Sequence, residues 1–261
     1  MSRISHAFHP EKIDAVALFI TCLNDQFFPR VGVAMTRILE SLGLRVEFPH
    51  EQTCCGQPFF NAGQHAEAAD LARRFVQIFR RYECIVTPSA SCCAMVREHF
   101  PALLRGDHVY DEARRRVCGR TYEFVEFIHD VLKVDLRRLS LPRPTRVAWH
   151  FSCHQRLIGM SDQTQRLLRQ MGNLELVSLE RADECCGFGG AFAVEFAPVS
   201  GSIVTDKVES IVASGAEAVV CNDAGCALNI AGAARRLAPK VRVVHIAELI
   251  AEAMGLPLDR L

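Results

Sequence analysis

Two stretches decide the fold of this chain: TCCGQPF at residues 53–59 and ECCGFGG at residues 184–190. Each holds a Cys-Cys-Gly triplet that begins 32 residues after a single cysteine, Cys22 in the first case and Cys153 in the second. One more cysteine follows each triplet in a short polar turn. A spacing copied across 131 residues indicates two similar halves with thiols at the same three places. The repeated cysteines are Cys22, Cys54, Cys55 and Cys92, then Cys153, Cys185, Cys186 and Cys226.

The segments between the cysteines also follow one order in both halves. Apolar runs predict strands at 16–22, 46–48 and 83–87, and again at 147–153, 174–179 and 217–221. Helical spacing predicts helices at 30–43, 62–81 and 92–100, and again at 161–172, 200–214 and 226–237. We therefore predict an α/β fold of two tandem, pseudo-symmetric β-α-β-α-β-α half-domains with small parallel sheets. They cover residues 1–138, which end after a helix at 122–134, and residues 146–261, joined by a proline-containing linker at 139–145.

The repeated cysteines all fall at the carboxyl ends of predicted strands, where ligands gather in open parallel sheets. Four thiolates per half can therefore converge on one centre, and four is the usual ligand number of an iron-sulfur cluster. Structural zinc usually sits between closely spaced pairs, whereas these ligands are spread over about 70 residues in each half. We expect Cys84 and Cys118 to pack in the core and Cys93 to point away from the centre. Cys221 aligns with Thr87 and so lacks support from the repeat.

Composition narrows the class of protein. The 261 residues are 49% apolar and 23% charged with zero formal net charge, which removes the basic signature of a nucleic-acid binder. No run approaches the roughly 20 apolar residues of a membrane span, and charges at Glu11, Lys12 and Asp14 argue against a secretory signal. We expect a cytoplasmic protein, in which thiols stay reduced and cysteines serve metal or redox chemistry.

Several motifs together resemble a known family. They are TCL at 21–23, CCGQP at 54–58, PSASC at 88–92, SCH at 152–154, CCGFGG at 185–190 and DAGCALNI at 223–230. This doubled pattern resembles the cysteine-rich CCG domain of the B component of heterodisulfide reductase and of glycolate oxidase iron-sulfur proteins. It is most similar to the stand-alone lactate utilization protein A family, over about residues 14–250.

The resemblance implies a part in oxidising L-lactate to pyruvate, as an electron-transfer component with one or two [4Fe-4S] clusters. It also implies partners, the lactate utilization proteins B and C. In the heterodisulfide reductase component the last motif is Cys-x-x-Cys, but here Ser89 and Asp223 replace its first cysteine. A four-cysteine cubane is therefore the simpler expectation, with Ser89, Asp223 and His154 as candidate accessory residues.

Other hypotheses remain open at this stage. The same cysteines can hold zinc in an interaction or scaffold module, or an incompletely ligated iron can act directly on a 2-hydroxy acid. The vicinal cysteine pairs can also serve thiol-disulfide exchange. For His50, His150 and His154, which lie near ligand cysteines in sequence, we favour a packing or solvated role over ligation. The chain has no ferredoxin motif C-x2-C-x2-C and no complete G-x-G-x-x-G after the first strand.

Overall fold

The computed structural model describes residues 13–259 and contains two four-stranded sheets. Residues 1–12 lie outside the described part, and they include Glu11 and Lys12, two of the charges that argue against a secretory signal. The first sheet has the order β2-β1-β3-β4 and the second β6-β5-β7-β8, and every pairing is parallel. The predicted α/β fold of two similar halves is confirmed. The strands are β1 Ala15–Leu18, β2 Arg45–Glu47, β3 Ile85–Thr87, β4 Thr121–Glu123, β5 Ser140–Trp149, β6 Gly172–Leu176, β7 Ala218–Cys221 and β8 Arg242–His245.

Helices cover both faces of these sheets and follow the predicted order. Those of the first half are Cys22–Phe27, Pro29–Ser41, Gln57–Asn61, His65–Phe79, Ala90–Ala94, Phe100–Leu103, Asp111–Gly119 and Phe124–Glu126, with wider π-helical turns at Met95–His99 and Phe127–Val131. Those of the second half are Cys153–Leu157, Gln163–Leu168, Phe192–Glu195, Ala197–Ala213, Ala224–Leu237 and Ile246–Ala253. No helix within residues 13–259 has the length and apolar character needed to cross a bilayer.

Each sheet has a fourth strand that the sequence pattern did not predict. The predicted helix at 122–134 is wrong at its start, because Tyr122 and Glu123 belong to β4. The helix begins only at Phe124, where the Glu123 carboxylate accepts hydrogen bonds from the backbone N–H groups of Val125 and Glu126. A side-chain cap of this kind satisfies N–H groups that have no partner within the helix, and so determines where the helix starts. In the second half, His245 is the last residue of β8 and caps the helix Ile246–Ala253 that follows.

Residues 140–145 of the segment predicted as a linker, 139–145, form the first part of strand β5. Ser140 pairs with Gly172, and the register then shifts before Thr145 pairs with Leu174. Pro142 lies in this interval, and proline has no N–H to donate to a neighbouring strand. Gly172, predicted as a helix end, opens β6. The half-domain boundaries at 138 and 146 stay a prediction.

The two halves share one hydrophobic core and exchange their last helices. Helix Ile246–Ala253 of the second half packs on helix Pro29–Ser41 of the first. Segment 124–131 of the first half packs on helix Gln163–Leu168 of the second. Side chains from both sheets belong to the same buried cluster, including Leu18, Leu39, Trp149, Leu168 and Ile250. The halves therefore depend on each other for burial of apolar surface, which fixes the two cysteine sets in one relative position.

Candidate metal centre

The eight repeated cysteines all line one cavity of about 410 Å³ between the two halves. The sheets turn the carboxyl ends of their strands toward each other there, so the two cysteine sets predicted from the repeat form opposite walls of a common space. Cys22, Cys153 and Cys185 are exposed, whereas Cys55, Cys92, Cys186 and Cys226 are buried. A group bound in the cavity would thus be held on its inner side and open to solvent or a partner on its outer side.

Cys22 and Cys153 occupy equal places just beyond the first strands. Strands β1 and β5 end at Leu18 and Trp149, a few residues earlier than predicted, and each cysteine is the first residue of a short helix. At Cys153 the preceding Ser152 accepts a hydrogen bond from the backbone N–H of Gln155, which caps that helix.

The Cys-Cys-Gly turns place their glycines in a left-handed conformation that favours glycine. Gly56 has a φ of 87° and Gly187 a φ of 77°. The N–H of Gly56 donates to Cys54 Sγ at 3.4 Å, and that of Gly187 donates to Cys185 Sγ at 3.3 Å. A Cβ on Gly187 would lie 2.8 Å from the carbonyl oxygen of Ser200, so a side chain has no room there. Both turns therefore direct a backbone dipole at a cysteine sulfur.

Within each half the sulfur atoms converge on one another. The Sγ–Sγ distance is 3.7 Å for Cys22 and Cys54, 3.3 Å for Cys55 and Cys92, and 2.8 Å for Cys186 and Cys226. A hydrogen bond from Cys22, then one from Cys55 and the Gly56 N–H, lower the pKa of Cys54 to about 3. The Cys54 sulfur is thus ready to act as a thiolate, the form of cysteine that binds metal. Converging soft donors of this type are the ligands that thiophilic metals and iron-sulfur clusters use.

Ser89 and Asp223, the candidate accessory residues, line the cavity but use their polar atoms to cap helices. Ser89 Oγ accepts from the Cys92 N–H at 3.3 Å, and Asp223 Oδ1 accepts from the Gly225 N–H at 3.0 Å. Asp223 Oδ2 further accepts from the Ser91 N–H at 2.8 Å and from Ser89 Oγ at 3.1 Å. These bonds hold Cys92 and Cys226 at the starts of their helices, so the two residues position the last cysteine of each half.

His154 lies at the cavity and links the halves. Its Nδ1 is 3.5 Å from Cys153 Sγ, and its Nε2 is 3.0 Å from the side-chain amide nitrogen of Gln57. Burial opposes protonation, but the Cys153 sulfur and the charge of Asp223 outweigh it and raise the pKa of His154. The histidine is thus placed to donate a hydrogen bond to a cysteine sulfur.

His150, for which the sequence favoured a packing role, lies among the sulfurs of the second half. A ring nitrogen of His150 and the Sγ atoms of Cys186 and Cys226 all lie within 4.8 Å of one another. Burial, and then the charges of Lys207 and Arg156, lower the pKa of His150 to about 3, so the ring is neutral. The sequence offers one sign that this position differs between the halves. At the offset that relates Cys153 to Cys22, His150 corresponds to an apolar residue, Phe19.

The remaining cysteines lie outside the cavity wall. Cys93 Sγ faces the Thr121 carbonyl oxygen at 3.8 Å, and Cys93 does not line the cavity as Cys92 does. Cys84 and Cys118 are buried in apolar clusters, where burial raises the pKa of each thiol to about 12. Cys221 is buried behind Cys186 and Cys226 in the second half. These positions agree with the packing roles expected for Cys84, Cys93 and Cys118.

The sequence of this chain matches a known family of proteins. The model of the cysteine-rich domain CCG matches residues 16–97 and again 147–231. The chain is similar to lactate utilization protein A of Geobacillus kaustophilus, with 43% identity over 90% of this chain and 98% of the relative. It is also similar to that of Halalkalibacterium halodurans, with 39% identity over 90% and 96% of the two chains. A solved structure of a hypothetical protein from Helicobacter pylori shares the fold, with a TM-score of 0.62 and 9% identity. The match covers 95% of this chain and 50% of that structure.

Proposed function

Because this chain belongs to the lactate utilization protein A family and carries two CCG cysteine-rich domains, we propose that it is an iron-sulfur electron-transfer protein of L-lactate oxidation. The proposal assigns one or two [4Fe-4S] clusters to the cavity, held by the eight repeated cysteines. The observation that carries it is the convergence of both cysteine sets on one cavity of about 410 Å³.

The donor set supports a cluster in each half. Every half supplies four thiols, and a backbone N–H of the Cys-Cys-Gly turn already points at one of their sulfurs. Hydrogen bonds to sulfur and burial are the features by which proteins adjust the potential of such a centre. A bound cluster would supply one-electron chemistry. The residues of the chain would hold it, shield its inner side and leave its outer side accessible through Cys22, Cys153 and Cys185.

The number of electrons released by lactate oxidation limits which step this chain can perform. Oxidation of L-lactate to pyruvate releases two electrons and two protons. A carrier of single electrons cannot accept a hydride, and the sequence has no complete dinucleotide motif after its first strand. We therefore assign the step at the lactate carbon, and the release of its protons, to a partner. The partners proposed here are lactate utilization proteins B and C, with this protein in the cytoplasm passing electrons between iron-sulfur centres.

The test is the metal and acid-labile sulfide content of the protein purified without oxygen, with EPR spectra after dithionite reduction. We expect iron and sulfide each near four or eight per chain and a signal of a reduced cluster. Cys92→Ala should lose the iron of the first half, whereas its neighbour control Cys93→Ala should keep it, because only Cys92 faces the cavity. Cys226→Ala applies the same test to the second half. Equal iron in Cys92→Ala, Cys226→Ala and wild type would overturn the ligand assignment.

One distance favours zinc as a second candidate. Two thiolates on a tetrahedral ion with bonds of about 2.3 Å lie roughly 3.8 Å apart, and the sulfurs of Cys22 and Cys54 are 3.7 Å apart. A protein that used the site this way would be a scaffold stabilised by its metal. Zinc without sulfide, together with failure to take up iron and sulfide on reconstitution, would replace the electron-transfer proposal with this one.

A further inference from the structure

The second half contains a buried histidine whose ring has no hydrogen-bond partner. His150 is 1% exposed, and neither Nδ1 nor Nε2 has a partner among residues 13–259. Its backbone N–H donates to the Val220 carbonyl oxygen at 3.0 Å, which anchors the residue just beyond β5. A buried polar atom left without a partner costs about 1–3 kcal/mol. Such a cost is understandable if a bound group satisfies the ring, and Cys186 and Cys226 are the donors beside it.

The first half has no polar group at the equivalent place. Phe19 corresponds to His150 at the offset of 131 residues that also relates Cys22 to Cys153. The Phe19 ring is fully buried and packs edge-on against Phe75, with ring centroids 4.8 Å apart. An apolar aromatic residue therefore backs the first cysteine set, where an imidazole backs the second.

The residue that packs on the Phe19 ring, Phe75, also has a different counterpart in the second half. The glycines of the two Cys-Cys-Gly turns lie against the carbonyl oxygens of Ala68 and Ser200, so these two positions correspond. Seven residues further along the same helices stand Phe75 and Lys207. Lys207 is buried, and its Nζ donates hydrogen bonds to the carbonyl oxygens of Arg181 and Ala182. The aromatic pair of the first half is thus a histidine and a lysine in the second.

We propose that the centre of the second half is a mixed nitrogen-sulfur site, in which an imidazole nitrogen of His150 joins Cys186 and Cys226 as a ligand in place of one exposed thiol of that half. The centre of the first half has thiolate ligands only. This inference rests on the proposed function for the identity of the bound group as a cluster. The ligand set itself follows from the position of His150 beside the two sulfurs and from the lack of any other partner for its ring among residues 13–259.

The difference gives the two halves different electron affinity. A neutral imidazole in place of an anionic thiolate raises the reduction potential of an iron-sulfur centre, because it reduces the negative charge that opposes an added electron. The buried ammonium of Lys207 acts in the same direction. The centre of the second half would therefore accept electrons from that of the first, which gives the protein a direction for electron transfer.

The experiment compares protein containing natural-abundance and ¹⁵N-labelled histidine by pulsed EPR of the reduced state, with iron and sulfide measured on the same samples. We expect a nitrogen coupling of the size of a directly bound imidazole. His150→Cys should lose that coupling, retain iron and shift one midpoint potential downward, because a thiolate replaces the imidazole. His154→Gln is the matched control and should retain the coupling, since His154 lies beside the exposed Cys153.

Each outcome separates this inference from the proposed function. Iron and sulfide with no nitrogen coupling, or with only the weak coupling of a hydrogen-bonded histidine, would overturn the ligand role of His150 alone. A coupling that survives in His150→Cys would assign it to another histidine. If the protein holds no iron or sulfide, the proposed function fails, and cobalt(II) then tests the same ligand set. The visible bands of the cobalt-loaded protein should differ between wild type and His150→Cys, and identical bands would overturn the proposal.

Discussion

Ser89 Oγ donates a hydrogen bond to Asp223 Oδ2 at 3.1 Å, and these two residues hold the same position in the two halves. Both precede the helix that carries the last cysteine of their half, and both cap that helix. Their hydrogen bond therefore joins corresponding positions of the two halves. It ties the placement of Cys92 to the placement of Cys226, so that the two cysteine sets form one structural unit.

We expect Asp223→Ala to lower the free energy of unfolding by about 2 to 4 kcal/mol, because buried donors from both halves lose a charged acceptor. Those donors are the Ser91 and Gly225 N–H groups and the Ser89 hydroxyl. Urea unfolding of anaerobic protein measures the change. Asp223→Asn retains one side-chain oxygen and should lose less stability while keeping its iron. Loss of iron in Asp223→Asn at unchanged stability would instead identify Asp223 as a ligand.

The repeat carried most of what could be predicted about the fold. Copied cysteine spacing and apolar runs predicted three strands per half and the edge where the cysteines meet, because those features depend on local periodicity. The fourth strands, three residues long in β4 and four in β8, were missed because segments this short that lead directly into a helix carry too little periodicity to be separated from it. The exchange of last helices between halves is a property of tertiary packing, which alternation and spacing along the chain do not record.

For the site, spacing predicted which cysteines converge but not that both sets share one cavity. The position of His150 beside the sulfurs was missed because a single histidine just beyond a strand gives no periodic signal. Only its correspondence with Phe19 distinguishes it, and only the structure brings it beside Cys186 and Cys226. The candidate roles of Ser89 and Asp223 were judged from a motif comparison, whereas their hydrogen bonds across the halves depend on the three-dimensional arrangement.

We expect Gly187→Ala to reduce both stability and iron retention. The substitution forces a Cβ to 2.8 Å from the Ser200 carbonyl oxygen at a φ of 77°, and displaces the N–H that points at Cys185 Sγ. Strain at a left-handed non-glycine residue costs about 1–3 kcal/mol before the clash is counted. Thermal unfolding and iron content of the anaerobic protein measure the two effects.

Gly43→Ala is the control for that substitution, because Gly43 has a similar φ of 85° but no atom within 4 Å of its Cβ position. It should cost only the conformational strain and leave the iron content unchanged. Equal losses in Gly187→Ala and Gly43→Ala would show that the close approach at Gly187 has no importance for the centre.

Removal of metal should expose the protein to a specific oxidation. The Cys22 and Cys54 sulfurs are 3.7 Å apart, Cys22 is exposed, and the pKa of Cys54 is lowered to about 3, so a thiolate sits beside an accessible thiol. With oxidised glutathione as the oxidant, the Cys54 thiolate and the Cys22 thiol together lose two electrons and one proton and form a disulfide. The glutathione disulfide takes up the two electrons and the proton, and leaves as one glutathione thiol and one glutathione thiolate. We expect peptide mapping by mass spectrometry to find a Cys22–Cys54 link first in metal-free protein. Cys84, which is buried away from the cavity, should remain reduced, and a first link between Cys55 and Cys92 would contradict the expectation.

Stability should fall below about pH 6.5 through His245, at the end of β8. Its Nε2 donates to the Pro88 carbonyl oxygen at 2.8 Å across the halves, and its Nδ1 accepts from the Ala247 N–H at 3.1 Å. Burial lowers the pKa of His245 from 6.5 to about 4, against the opposing effects of Pro88 and Asp223. The unfolded chain therefore binds a proton between pH 6.5 and 4 that the folded protein does not, so the stabilisation is complete above pH 6.5 and is lost as pH falls toward 4. The full difference corresponds to about 3 kcal/mol.

His245→Asn tests this sign, because asparagine can still cap the following helix but does not titrate. At pH 7 the variant should be less stable than wild type by about 1 to 2 kcal/mol, since it lacks the bond to Pro88. The difference should shrink as the pH is lowered and reverse between about pH 6 and pH 5, because only wild type loses the His245 contribution of about 3 kcal/mol. The lowered pKa of His150 is common to both proteins. Urea unfolding between about pH 7 and pH 4.5, compared at equal iron content, measures it. A difference that stays constant over this range would mean that His245 does not take up the proton on unfolding.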